Sequence, residues 1–192
     1  MKIAGLVLAA GGGRRFGRPK ALVPWQGRTL VAHTAETSVR AGLHPTVVVI
    51  GAAADRVRAA APGLDYVENP GWETGMASSL RAGLAALTPT NATAAVVLLV
   101  DMPGITPASV RRIAAQASPT ALVTGTYAGR RGHPVLLGRN HWAAIARSAT
   151  GDSGARDYLR AHAAEVETVP VDDVANDHDL DTPADLAVAE RA

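Results

Sequence analysis

Cysteine is absent from the 192 residues, which excludes disulfides and thiolate metal sites and suits a reducing compartment; the expected localisation is cytoplasmic. Aromatic residues are scarce, with three Trp, three Tyr and one Phe, so the core must be built mainly from Ala, Val and Leu. No apolar run is long enough to cross a bilayer, and the first one breaks into glycines, unlike a signal peptide. The formal net charge is only +2, with no basic tail and few aromatics to stack on bases. Nucleic-acid and membrane partners are therefore not expected. Lysine is nearly absent as well. Only Lys2 and Lys20 stand among 19 basic residues; the rest are arginine.

What is present begins with an apolar run, Ile3 to Leu8, read as a buried strand. It opens into Ala9-Ala10-Gly11-Gly12-Gly13-Arg14-Arg15-Phe16-Gly17-Arg18-Pro19-Lys20. Glycines let backbone N–H groups turn toward an anion, and four basic side chains lie between Arg14 and Lys20. Such a loop is suited to polyphosphate. It is not the dinucleotide fingerprint, because Phe16 stands where the third glycine belongs. Nor is it a P-loop, because Arg18-Pro19 replaces the Lys-Ser/Thr that must follow the last glycine. In an arginine-rich chain, Lys20 supplies a compact, rotatable charge at the end of this loop.

The remaining pattern alternates strand and helix. Strands are expected at Thr46–Ile50, Tyr66–Glu68, Ala94–Val100, Ala121–Thr124, Val135–Leu137 and Glu167–Val171. Helices are expected at Leu30–Ala41, Ala53–Ala60, Met76–Leu87, after Thr106-Pro107, at Ser153–Ala163 and at Pro183–Arg191. This order predicts one α/β domain over residues 1–192, three-layered and Rossmann-like, with a mostly parallel sheet.

In such sheets ligands sit beyond the carboxyl ends of strands. Asp101 follows the run Val96 to Val100 and is placed either to hold magnesium or to start the turn before Pro103. Six of the eleven aspartates cluster from Asp172 to Asp185. Within them Asp179-Leu180-Asp181 projects both carboxylates to one side if extended, while Asp181 or Thr182 alternatively caps the last helix. Asn69, Gly75, Ser78 and Ser79 flank a helix start and offer groups to a base or ribose, or simply cap that helix. Trp72 is a lid or a core plug. His133, between Gly132 and Pro134, is expected in a shaped turn. Asp152 and Arg156 open a helix and either meet an anionic substrate or cap it.

Taken together, Leu8-Ala-Ala-Gly-x-x-x-Arg15-Phe-Gly17-x-x-Lys20 resembles the signature loop of the MobA-like nucleotidyltransferases. Asp101-Met-Pro103 and Asp179-Leu-Asp181-Thr-Pro183 are similar to that family's two metal-binding motifs. Asn69-Pro-x-x-x-x-Gly75-x-x-Ser78-Ser79-Leu80 and Gly151-Asp-x-Gly154-Ala-Arg156 resemble the branch that cytidylylates molybdopterin. The resemblance implies a nucleotide-diphospho-sugar-transferase-type fold. It implies CTP, or GTP, held by Leu8 through Gly13, Arg15, Lys20, Asn69, Gly75, Ser78 and Ser79. Catalysis would fall to Lys20, Arg15 and Asp101, and Mg2+ to Asp101 with Asp181 or Asp179. A phosphorylated acceptor, molybdopterin, would meet His133, Asp152 and Arg156. A molybdoenzyme or its maturation chaperone is the implied receiving partner. The competing expectations are a guanylyltransferase and an oxidoreductase built on the same fold. Family loops often carry serine where Gly13 stands, a departure that removes one hydroxyl.

Overall fold

The computed structural model describes residues 1–189. Its centre is a seven-stranded sheet built on β1 (Ile3–Leu8). A two-stranded ribbon, β2 (Pro24–Trp25) and β3 (Arg28–Thr29), leads into α1 (Leu30–Arg40). Then come β4 (Thr46–Ile50), α2 (Ala54–Ala60), β5 (Asp65–Glu68), α3 (Met76–Leu87) and β6 (Ala94–Leu99). The chain continues through α4 (Pro107–Ala114), β7 (Leu122–Tyr127), β8 (Arg130–Gly138), α5 (Trp142–Ser148), α6 (Arg156–Ala161), β9 (Val166–Pro170) and α7 (Pro183–Ala189). Strand order is β5-β4-β1-β6-β8-β7-β9, and β8 alone runs against the others.

Alternation along the central strands builds both faces. Val7 of β1, Val48 and Ile50 of β4, and Val96 and Leu98 of β6 pack on one side with α1, α2 and α4. Leu6 and Leu8, Val47 and Val49, and Ala95 and Val97 pack on the other with α3, α5 and α6. Leu80, Leu84 and Leu87 of α3 are buried; each such side chain contributes about 1.5–3 kcal/mol. The predicted start of α4 is realised by Thr106, whose hydroxyl accepts from the Ser109 amide while Ser109 Oγ accepts from the Thr106 amide.

Several expectations needed correction. β7 and β8 are longer than their apolar cores because they form a hairpin turned at Ala128-Gly129, both with positive φ. His133 lies inside β8, not in a turn. The β7–β8 register jumps between Thr124 and Gly125, leaving His133 and Pro134 as extra residues on β8. α5 and the ribbon have no counterpart in the sequence expectation, and α6 is shorter than Ser153–Ala163. The predicted end of α7 at Arg191 lies outside the described residues. No helix among the described residues is long and apolar enough to cross a membrane.

Candidate functional site: two adjoining clefts at the switch point

From β1 the chain builds outward through β4 to β5, then returns to β6 on the opposite side of β1. Loops after β1 and β6 therefore diverge at a topological switch point, where open α/β sheets bind ligands. A cleft of about 470 Å³ lies there, lined by Leu8, Ala10, Gly11 to Arg15, Lys20, Asp101 and Asp181, among others. Phe16 is buried in the core and anchors the loop from its middle, while the Gly17 amide donates to the Gly13 carbonyl at 2.8 Å. Gly13 has φ +63°, and a Cβ there would run into the Arg18 carbonyl oxygen.

Lys20 begins a single 3-10 turn and points its Nζ between two carboxylates. It donates to Asp101 Oδ2 at 2.9 Å and to Asp181 Oδ1 at 2.7 Å. Arg15, mostly exposed, pairs with Asp181 at 3.0 Å. Burial alone would lower the Lys20 ammonium; Asp101 and Asp181 outweigh it and hold it above its usual value. The hydrogen bond from Lys20 holds the Asp181 carboxyl below the ordinary range, with Arg15 adding to the effect. Asp179 is pushed the other way, first by loss of surrounding water and then by Asp101 and Asp181.

Local structure explains how Asp181 reaches the cleft, whereas Asp179, also expected at the metal, is not among the residues lining it. Leu180 is buried and its amide donates to the Asp101 carbonyl at 2.9 Å, tying the two motifs together. Asp185 Oδ2 accepts from the Asp181 and Thr182 amides, so Asp185 and Thr182 organise the start of α7. The Asp181 carboxylate is thereby left to face Lys20. Among the other clustered aspartates, Asp173 and Asp177 pair with Arg112 and Arg130, and Asp172 accepts from the Ala128 amide.

Among the described residues no three His, Asp or Glu side chains form a ready metal cage. Asp101 and Asp181 do converge on one cation, the Lys20 ammonium. Magnesium usually takes one or two carboxylates and completes its shell with phosphate and water, so this hard-oxygen pair fits it.

The cleft is also lined by Trp72, Glu73, Gly75, Met76, Ser79 and Asp152. Trp72 is half-buried and packs against the core on the α3 side of the sheet. Its ring lies against Gly12 and Gly51, where added Cβ atoms would come within 3.0 and 2.6 Å of it. Asn69 and Ser78, expected at the nucleotide, do not line the cleft. Asn69 Nδ2 donates to Ser78 Oγ and Ser79 Oγ, and its Oδ1 accepts from the Gly71 amide. They brace the loop instead. Ala9 likewise turns into the core, its amide donating to Val49. Gly75 has φ +107°, and a Cβ there would lie 2.5 Å from the Gly151 backbone. Asp152 lines this first cleft and accepts from the Met76 amide at 3.2 Å, capping α3 from 76 residues away.

A second cleft of about 440 Å³ adjoins the first across Leu8, Met76 and Leu99. Its walls are Leu80, Val97, Val135 and Leu159, with Thr124, and Arg131, His133, Arg156 and Arg160 also line it. Arg131, Arg160, Glu73 and Thr124 escaped the sequence reading. Two of them lay in segments already singled out, Arg131 next to Gly132-His133-Pro134 and Glu73 between Asn69 and Leu80.

Burial pushes the His133 imidazole down to about 4; Asp101 opposes the shift and Arg156 adds to it. At neutral pH it is therefore uncharged and a weak base. An unfolded chain binds a proton here near pH 6.5, so between about 6.5 and 4 the unfolded state takes up more protons. Stability contributed by neutral His133 is lost as pH falls through that window. The His133→Gln variant should show a shallower acid decline in Tm than the parent. Superimposable Tm–pH profiles would refute a neutral, partly buried imidazole. His33, also lowered chiefly by burial, leaves a residual slope in the same direction.

An anion loop at the sheet's switch point, with Asp101 after the neighbouring strand meeting Asp181 across Lys20, defines a nucleotide-handling α/β enzyme. The chain belongs to the MobA-like NTP transferase domain family, whose model matches residues 5–166. It is 39% identical to the nicotine blue oxidoreductase of Paenarthrobacter nicotinovorans, over 94% of this chain and 92% of that one. It is 36% identical to the molybdenum cofactor guanylyltransferase of Rhodobacter capsulatus, over 99% and 96%. The crystal structure of Rv0371c from Mycobacterium tuberculosis H37Rv superposes with TM-score 0.87, at 34% identity, over 100% and 99% of the chains. The same protein in complex with manganese gives 0.84 at 32% identity, with both chains fully covered. The nucleotidyltransferase class and the nucleotide-diphospho-sugar-transferase fold follow from these matches.

Proposed function

We propose that the protein transfers CMP from CTP to the terminal phosphate of molybdopterin and releases pyrophosphate, with magnesium as cofactor. The observation that carries this reading is the adjacency of two unlike clefts. One presents Arg14, Arg15 and Lys20 beside two carboxylates; the other is apolar with arginines along it. A triphosphate in the first and a phosphorylated, apolar-bodied acceptor in the second would meet along Leu8 and Leu99. The molybdenum cofactor guanylyltransferase relative supports the acceptor class.

Asp101 and Asp181 would hold the magnesium, which when bound neutralises phosphate oxygens as a Lewis acid. Manganese in the related Rv0371c complex supports a divalent site. Lys20 and Arg15 bind and orient the triphosphate. An acceptor phosphate oxygen attacks the α-phosphorus in line; the bond to the bridging oxygen breaks, and pyrophosphate leaves with its electron pair. The acceptor monoester has its second pKa near about 6 and is already ionised at neutral pH, so no general base is needed. Catalysis then rests on positioning and charge neutralisation.

In a thermal-shift panel with magnesium, CTP is expected to stabilise the protein more than GTP, ATP or NADPH. Ligand at a hundred times Kd adds about 2.7 kcal/mol. A larger response to GTP would transfer the reading to guanylyl transfer. The relative named as an oxidoreductase favours a second reading, reduction of a molecule held in the second cleft. Stabilisation by NADPH alone would establish it over nucleotidyl transfer.

A further inference from the structure

The triphosphate cleft sets Arg14, Arg15 and Lys20 beside Asp101 and Asp181, and carries two further carboxylates, Glu73 and Asp152, in its wall. Lys20, Arg14 and Arg15 mark the phosphate end, so the nucleobase falls toward Trp72 and Glu73. The two wall carboxylates differ. Asp152 Oδ1 is already committed to the Met76 amide. Glu73 has no hydrogen bond or ion pair to any described residue.

Glu73 is exposed, yet its backbone is held in place. It sits in the 3-10 turn Trp72–Thr74, with the Trp72 ring wedged against Gly12 and Gly51. Asn69 Oδ1 accepts from the Gly71 amide, and the Thr74 and Ser78 hydroxyls donate to the Gly71 carbonyl. A free carboxylate in a cleft for a polyanion opposes binding by repulsion unless the ligand turns a donor toward it. An ionised carboxylate can only accept. It is attracted to an N–H group and repelled by a carbonyl oxygen. Ser79 Oγ, which accepts from Asn69 Nδ2, keeps its own proton for a base acceptor.

We infer that Glu73 reads the nucleobase by accepting a hydrogen bond from its exocyclic amino group, selecting amino-bearing bases over their oxo or unsubstituted counterparts. This rests on the nucleotide-transfer reading above and adds a specificity determinant to it. It predicts discrimination within two matched pairs. CTP and UTP differ at C4 and N3, and GTP and inosine triphosphate differ only by the 2-amino group.

Calorimetric titration of the full chain with these four triphosphates, in magnesium, tests the inference without needing the acceptor. The parent is expected to favour the amino member of whichever pair binds by about tenfold, the worth of a hydrogen bond to a charged group. In the Glu73→Gln variant, whose amide both donates and accepts, that preference should fall to within about threefold. Its Tm should stay unchanged, since the Glu73 carboxylate makes no hydrogen bond or ion pair among the described residues. Equal preference in parent and variant, or none in the parent, would overturn the role of Glu73 alone. Absence of binding by all four to the parent would instead overturn the nucleotide reading beneath it.

Discussion

Replacing Lys20 by alanine is expected to slow pyrophosphate release from CTP by about 10²–10³-fold, the usual cost of removing one fixed donor from developing phosphate charge. Lys20 is the cation shared by Asp101 and Asp181, at 2.9 and 2.7 Å. Without it the cleft keeps both carboxylates facing a polyanion. Lys20→Arg should recover little, because a planar guanidinium cannot occupy one point between two carboxylates as an ammonium does. Manganese affinity, by contrast, should rise in Lys20→Ala, since no ammonium then competes for the carboxylates. Asp101→Ala should be equally inactive but should bind manganese more weakly. Opposite metal responses from two inactive variants would separate phosphate binding from metal binding. Full activity in either would remove that residue from the site.

The second large effect is expected from Gly13→Ser, although serine is frequent at this place in loops of the family. Here Gly13 sits at φ +63°, where a side chain is strained by about 1–3 kcal/mol. The new Cβ would also meet the Arg18 carbonyl, which is backbone and cannot swing away as a side chain can. For a chain of this size each kcal/mol lowers Tm by about 2–4 °C. A fall of roughly 4 °C or more, with weakened CTP binding, is the expected result. Unchanged Tm and affinity would mean that the loop adopts the serine-bearing shape at no cost. Gly11, with nothing near its missing side chain, is the internal control: Gly11→Ala should be nearly silent in Tm.

Much of this site was legible because its parts follow directly from strong strand signals. Val96 to Val100 announced a buried strand, and Asp101 after it had to emerge at the sheet's carboxyl edge. The same reasoning located the glycine loop. Leu180 between Asp179 and Asp181 gave the alternation that places one apolar side chain inward and the carboxylates outward. The second cleft was less visible because most of its lining comes from residues between Thr124 and Ala163, brought against Leu8, Leu80 and Val97 only once the β7–β8 hairpin forms. That hairpin turns at Ala128 with φ +47°, where Asn or Gly is the usual signal. The two-residue register jump that aims His133 has no local signature at all. Asn69 lies off the cleft for a related reason. Its polarity suggested a ligand contact, but Ser78, Ser79 and the Gly71 amide consume its hydrogen bonds. Trp72 became interpretable only once Gly12 and Gly51, from two different strand ends, were seen beneath it.

Nucleotidyl transfer itself is tested most directly by incubating the protein with CTP, magnesium and molybdopterin and following pyrophosphate and product mass together. The expected result is one pyrophosphate released for each molybdopterin that gains the mass of a CMP residue. No pyrophosphate from either CTP or GTP, with NADPH consumed in their place, would contradict it.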